Sequence, residues 1–246
     1  MKFPSTPYLV SHAQSNDDKV LDDAGAKSFL NVLLVVQEKV DGANLGIMLT
    51  QDGELQYQHR GSIVTHITDS SWSYLAEWEK THGGDLRKLL HPPESRILFG
   101  EFVRAKHSIE YDSLPNYFLG FDVYELDPGE SYFWNSRRVQ SALVTARLAA
   151  VPELCRRSFS TVDQLQQLLQ TPSSFIRSGK QRLLEGVYLR VDDDEKGRCV
   201  ARCKLVRPEF SQAITTHWSK GVLKKNLIDE EKRVALAFAE VQVDDA

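Results

Sequence analysis

Glu38-Lys39-Val40-Asp41-Gly42-Ala43-Asn44 separates two apolar runs, Val32-Leu33-Leu34-Val35-Val36 before it and Leu45-Gly46-Ile47-Met48-Leu49 after it. Short runs rich in β-branched and aliphatic residues read as buried strands, and Asp41-Gly42 between them reads as a tight turn. A lysine at this point leaves the end of a strand with its amine beside whatever the turn borders. That amine is protonated near neutral pH unless cations, a metal or desolvation lower its pKa. Lys39 is therefore either a solvated turn residue or a nucleophile prepared by its surroundings. Lys-x-Asp-Gly is too short to decide between them.

Outward from this turn, Gln51-Asp52-Gly53-Glu54 signals a hairpin into Leu55-Gln56-Tyr57-Gln58. Residues 71–90 have helical spacing, with Trp72, Leu75, Trp78 and Leu86 as the expected buried set. Residues 96–102 and 117–124 read as strands, and a mostly helical stretch follows. It includes 136–150 and a helix opened by Ser160-Thr161-Val162-Asp163, a capping-box pattern with an acidic third position. Residues 185–191 and 200–206 are the last expected strands, and after Pro208 the pattern is helical to the end. The opening segment, polar and turn-rich, reads as an irregular arm. The expected class is α+β: antiparallel sheets flanked by helices, with residues 1–209 as the main domain and 210–246 as a helical appendage.

Hydrophobic residues make up 41% of the chain and charged residues 26%, ordinary for a globular protein of 246 residues. A formal charge of -4 excludes a general polyanion binder, though not a local nucleic-acid site, because binding follows where the cations lie. No apolar run approaches the ~20 residues needed to cross a bilayer. Met1-Lys2-Phe3-Pro4-Ser5-Thr6-Pro7 lacks a signal-peptide core, so a cytoplasmic location and no membrane partner are expected. Cys155, Cys199 and Cys203 make no disulfide framework, and Cys199 and Cys203 lack the second Cys/His pair of a zinc site.

Four further motifs follow in order on expected strands: Phe99-Gly100-Glu101, Phe121-Asp122, Glu185-Gly186-Val187 and Lys204-Leu205-Val206. Together with the lysine motif they resemble motifs I, III, IIIa, IV and V of the covalent nucleotidyltransferases. That superfamily comprises ATP- and NAD-dependent DNA ligases, RNA ligases and mRNA capping enzymes, and the resemblance covers most of the chain. Within it the sequence is most similar to RNA ligases of the RNA-editing and phage RNA ligase II type. Asn44 closes motif I where DNA ligases and capping enzymes typically have arginine. The stretch from Gly100 to Ile109, and the opening Lys2-Phe3-Pro4-Ser5-Thr6-Pro7-Tyr8-Leu9, also resemble that branch.

The resemblance implies a nucleotidyltransferase (ATP-grasp-like ligase adenylation) domain and a role for each residue. Lys39 would attack the α-phosphorus of ATP and carry AMP. Glu38 would lie at the adenine edge, and Asp41 and Asn44 would belong to the same nucleotide site. Arg60 would contact AMP or a phosphate. Glu101 would hold the ribose hydroxyls, since a carboxylate can accept both of their hydrogen bonds. Phe121 would stack on adenine, and Glu185 would bind Mg²⁺ or Mn²⁺. Arg202 and Lys204 would neutralise the triphosphate and lower the pKa of Lys39. Many relatives carry lysine at the position of Arg202, and arginine keeps the charge without the compact geometry. Plainer readings stand beside these: a solvated Glu38 or Arg60, a core Phe121, and a structural His107.

The implied activity is an ATP-dependent RNA ligase joining 5′-phosphate and 3′-hydroxyl ends of RNA, in a nicked duplex or a broken hairpin, during RNA repair. No obligate protein partner is inferred. The alternatives are a minimal DNA ligase or other nucleotidyltransferase, and a non-catalytic nucleic-acid-binding module that keeps the fold. In the tail, His217-Trp218 with Lys220, Lys224 and Lys225 would either hold an RNA end or form a packed helix with Trp218 in the core.

Overall fold

β1 (Leu34–Lys39) and β2 (Ala43–Leu49) form on either side of the Asp-Gly turn, and they belong to different sheets. The computed structural model describes residues 1–10, 19–64, 72–177, 183–212 and 224–238. The smaller sheet has the order β11 (Arg198–Val206), β10 (Gly186–Asp193), β1 and β9 (Glu153–Arg157), with every pair antiparallel. The larger sheet runs β4 (Ser62–Ile63), β3 (Leu55–His59), β2, β5 (Arg96–Phe102), β6 (Phe118–Glu125) and β7 (Tyr132–Phe133). A short β8 (Ala149–Ala150) joins it parallel to β6.

Side-chain alternation gives each face of the smaller sheet its character. Leu34, Val36, Val187, Leu189, Cys203 and Leu205 pack on one side against Phe29, Phe159, Leu165 and Leu169. The register sets Gln37 opposite Tyr188, Tyr188 opposite Lys204 and Arg190 opposite Arg202, so the other side is polar and aromatic. The larger sheet buries Leu45, Ile47, Leu98, Phe118 and Val123 beneath two helices. After a short α1 (Asp23–Lys27), these are α2 (Leu75–Leu90) and α3 (Ser136–Thr145). Trp72, Leu75, Trp78 and Leu86 are all buried, each large side chain contributing about 1.5–3 kcal/mol. Phe99, Leu119 and Phe121 on the opposite face join Val40, Tyr111 and Phe175 in a third cluster. Among the described residues no helix is long and apolar enough to cross a membrane.

Several elements depart from the sequence reading. α3 ends at Thr145 rather than near residue 150, because Arg147 takes a φ of 52° and the chain then enters β8. β9, read as part of a helical stretch, is the edge strand beside β1. α4 (Val162–Gln167) is capped by Thr161, whose hydroxyl accepts from the Gln164 N–H at 3.3 Å. Gln164 accepts in return from the Ser160 N–H, so glutamine rather than Asp163 completes the cap.

Beyond Pro208, α5 (Pro208–Gln212) and α6 (Glu230–Ala237) are helical, but residues 224–229 are not. They run alongside the main domain, with Lys225 bridged to Ala105 and Ile228 to Leu114. Fully buried Asn226 donates to the Val103 carbonyl at 2.7 Å and accepts from the Tyr111 N–H at 2.9 Å. This part of the tail is built into the main domain instead of standing apart. His217, Trp218 and Lys220 lie outside the described residues.

Candidate active site

Lys39 ends β1 opposite Gly186, and Glu185 immediately precedes β10. The pairing brings Lys39 Nζ within 2.5 Å of Glu185 Oε1, with side chains only 18% and 12% exposed. Glycine is required beside them, since a Cβ at Gly186 would sit 2.2 Å from the Leu205 carbonyl oxygen. Burial alone would lower the pKa of Lys39, but the Glu185 carboxylate outweighs it and holds the amine above its ordinary value. The resting lysine is therefore an ammonium ion.

Glu101 comes from the larger sheet, paired with Asn44 across β2 and β5. Burial pushes its carboxyl up to about 8; Lys39 opposes that rise, while Glu185 and Asp41 add to it. Burial raises Glu185 as well, against the pull of Lys39. Lys39 and Asp41 thus share one electrostatic environment with Glu101 and Glu185, which are distant from them in sequence. Lys204 acts on Glu185, and its Nζ lies 4.0 Å from the centre of the Tyr8 ring.

Asp41 also has a local task. Its Oδ2 accepts from the N–H groups of Ser108 at 2.6 Å and Ile109 at 2.9 Å, and its own N–H donates to the Tyr111 hydroxyl. The turn after the nucleophile is thereby pinned to the loop carrying His107, whose Nδ1 is 3.9 Å from Asp41. Arg60 and Gly61, with φ of 49° and 89°, form the tight turn between β3 and β4. Arg60 is exposed there and opposes the rise in Glu101.

Glu38 and Arg202 are each held by partners within the fold. Alternation turns Glu38 to the face opposite Lys39, where its buried carboxylate accepts from Ser173 Oγ at 2.5 Å and the Ser174 N–H at 2.9 Å. Arg202 shares a face with Lys204 two residues away along β11, and its charge is already matched by Asp122 Oδ2 at 2.7 Å. Its guanidinium lies over Phe133 at 3.8 Å and Phe3 at 4.5 Å. Buried Arg190 holds the other Asp122 oxygen and donates to the Trp134 carbonyl at 2.8 Å. Arg202 thus forms an Asp-Arg-Arg group with Asp122 and Arg190, and it acts on Tyr188, as Lys39 does.

Phe121 faces Tyr188 across the two sheets, with ring centres 6.5 Å apart and planes 22° from parallel. A bulge between Phe99 and Gly100 breaks the alternation, so that consecutive Phe121 and Asp122 both reach the smaller sheet. Sequence reasoning named Phe121 but missed Tyr188, Tyr111 and the arm residues Phe3, Thr6 and Tyr8. Tyr188 was within reach, because a period of two from Gly186 places it on the face of Lys39.

A two-sheet cleft with a buried lysine, carboxylates from both sheets and a facing aromatic pair is the architecture of a nucleotidyltransferase-type adenylation domain. The RNA ligase family model matches residues 33–206, most of the chain, and the protein belongs to that family. Solved structures of Naegleria gruberi RNA ligase share the fold. A point-mutant form with ATP and Mn superposes at TM-score 0.60 and 15% identity, over 86% of this chain and 59% of the other. The form with PPi gives TM-score 0.58 and 18% identity, over 85% and 58%. This chain therefore spans less than two thirds of the length of those proteins. No curated protein matches the sequence.

Proposed function

We propose that this chain is an ATP-dependent RNA ligase working through a lysyl-AMP intermediate on Lys39. The observation that carries the reading is the buried Lys39–Glu185 pair, with Glu101 brought to it from the opposing sheet. In a non-catalytic binding module, a buried lysine–carboxylate group beside an aromatic gap would have no task.

Once deprotonated, Lys39 Nζ attacks the α-phosphorus; a P–N bond forms, the bond to the bridging oxygen breaks, and pyrophosphate leaves. An oxygen of the RNA 5′-phosphate then displaces Lys39 and takes the AMP in a 5′–5′ pyrophosphate link. Finally the RNA 3′-hydroxyl loses its proton and attacks that 5′-phosphate, expelling AMP. Lys204 would offset phosphate charge, Phe121 and Tyr188 would flank the base, and Glu101 would hold the ribose diol.

Glu101 Oε2 and Glu185 Oε2 are buried without a hydrogen-bond partner among the described residues. Among those residues no three potential ligands converge on one point. Glu185, a hard oxygen donor, would hold a Mg²⁺ or Mn²⁺ ion directly or through water. Bound by Glu185, such an ion would draw that charge away from Lys39 and balance the phosphates. The Naegleria ligase structures that contain ATP or AMP together with Mn support this choice.

Incubation with α-labelled ATP and denaturing electrophoresis tests the reading. The protein should carry an acid-labile label that Lys39→Ala abolishes; equal labelling of that variant refutes it. Sealing of matched nicked RNA and DNA then assigns the acceptor. RNA sealed in preference to DNA supports the RNA acceptor that Asn44 suggests, the expectation for the RNA-editing and phage RNA ligase II branch and for a role in RNA repair; DNA sealed equally well overturns the RNA assignment.

A further inference from the structure

Between α2, the residues before β6 and α6 lies a cavity of about 390 Å³, separate from the cleft that holds Lys39. Its walls include Tyr74, Trp78, His82, Tyr117, Arg147 and Phe238. A space of this size takes a ligand as large as one nucleotide. Tyr74 and Tyr117 meet edge to face with ring centres 5.4 Å apart, and the Arg104 guanidinium lies over the Tyr74 ring at 5.3 Å. Phe238 stands at the rim, 80% exposed.

The polar groups of the cavity suit a ligand that brings acceptors. Asn116 Oδ1 accepts from Trp78 Nε1 at 3.0 Å and from the Tyr117 N–H at 2.7 Å, which turns its amide N–H toward His82 Nε2 at 3.2 Å. Burial lowers the pKa of His82 more than Asp85 raises it, so the ring is neutral. With Nε2 accepting, the ring proton is on Nδ1. Asp85, the acidic group of this wall, is paired with Lys88 at 3.0 Å, and Arg233 at the α6 side is paired with Glu230 at 2.6 Å. Arg147 is exposed and has no ion-pair partner among the described residues. It takes a φ of 52° just past the end of α3, where glycine is the usual residue. Arginine there accepts a strained backbone and sets a cation at the cavity.

We propose that this cavity receives one unpaired nucleotide of the RNA being sealed, with its base against Tyr74 and Tyr117 and its phosphate on Arg147. This rests on the RNA-acceptor reading above. Aromatic rings hold unstacked bases irrespective of sequence, and a guanidinium without a carboxylate partner is a phosphate site. An apolar peptide in the same place would leave Arg147 and the His82 N–H without acceptors. The position also suits the reaction. The Tyr117 carbonyl accepts from the Val103 N–H at 2.8 Å, and Val103 packs so closely on Gly42 that a Cβ there would lie 2.7 Å from its Cγ1. One wall of the cavity is thus backed by the residue that packs on the turn after Lys39.

The test uses the full chain and a fluorescent single-stranded oligoribonucleotide with hydroxyl groups at both ends, which can bind but cannot be adenylylated. Tyr74→Leu should weaken binding about tenfold in anisotropy titrations. Arg147→Gly, which relieves the backbone and removes the charge, should weaken it as well and lower the slope of log Kd against log salt by about 0.7, one phosphate contact on a single strand. Labelling of Lys39 by ATP, which a misfolded variant would lose, should persist in both. Affinity unchanged in both variants overturns the proposal and leaves the cavity to a protein segment. A free mononucleotide that competes as well as the oligonucleotide assigns the cavity to soluble nucleotides and overturns it too, as does parallel loss of RNA binding and lysine labelling, the mark of a structural role. RNA binding that depends on these residues in a protein that forms no lysyl adenylate would refute the proposed activity and leave this site standing.

Discussion

Replacing Glu185 with glutamine should make Lys39 a better nucleophile toward small reagents while abolishing its reaction with ATP. The amine is an ammonium ion because a carboxylate lies 2.5 Å away, not because its site is hospitable to charge. With charge centres about 4 Å apart and an effective dielectric near 20, the attraction is roughly 4 kcal/mol. At about 1.4 kcal/mol per pH unit, removing it should lower the pKa of Lys39 by roughly 3 units. Competitive acylation followed by peptide mapping reads this directly, with exposed Lys80 and Lys88 as internal standards. In wild type, Lys39 should stay nearly unlabelled relative to them between about pH 7 and 10; in Glu185→Gln its labelling profile should move to lower pH by roughly 3 units. Adenylylation should disappear in the same variant, because the residue expected to hold the metal is gone. A Lys39 whose labelling profile moves by less than about one pH unit would show that burial, not Glu185, governs the amine, and would sink the argument.

Four further outcomes follow from the geometry. Asn226→Ala should destabilise the fold by about 2–4 kcal/mol in urea titrations, since the Val103 carbonyl and the Tyr111 N–H lose their buried partner; a loss under about 0.5 kcal/mol would mean the tail is merely laid on the surface. For the same reason truncation after Pro208 should cost adenylylation as well as sealing. Gly186→Ala should cost at least about 2 kcal/mol and depress adenylylation, because the new methyl meets the Leu205 carbonyl; a stability within error of wild type would contradict the strand spacing. Glu101 titrates near 8 when folded and near 4.5 when unfolded, so the folded state holds the extra proton between those values. Stability should therefore fall as pH rises from about 5 to 8, and the slope should be shallower in Glu101→Gln; an identical slope in the variant would show that Glu101 is not the group responsible.

The parts of the site that could be read from sequence are those carried by a short motif on or beside a strand. Lys39, Glu101, Phe121, Glu185 and Lys204 each sit in a short motif on or beside an apolar run; strand pairing sets Lys39 beside Glu185, while Phe121 reaches the smaller sheet only through the bulge. The orientation of Glu38 was legible from alternation, since neighbours in a strand point to opposite faces. What alternation cannot reveal is pairing between distant segments. Nothing local in Pro7-Tyr8-Leu9 announces a bridge to Lys204, and nothing around Asn226 announces that it will fill a gap between Val103 and Tyr111. The bulge at Phe99 and Gly100, which frees Asp122 to hold Arg190 and Arg202, is likewise a property of two strands together. β9 was hidden for a simpler reason: Glu153-Leu154-Cys155-Arg156-Arg157 is an edge strand with little apolar alternation, and only its neighbour β1 makes it one.

The turn Val40-Asp41-Gly42 carries the chain from one sheet to the other. Mechanically it is a short tether with the reactive amine at one end. A nucleotide bonded to Lys39 on the smaller sheet, with its sugar against Glu101 on the larger, would span the same joint in parallel with that tether. The adenylylated form would then be a cross-braced version of the free protein. Its two sheets should resist separation more strongly, and amide exchange along β1 and β5 should slow together once AMP is attached.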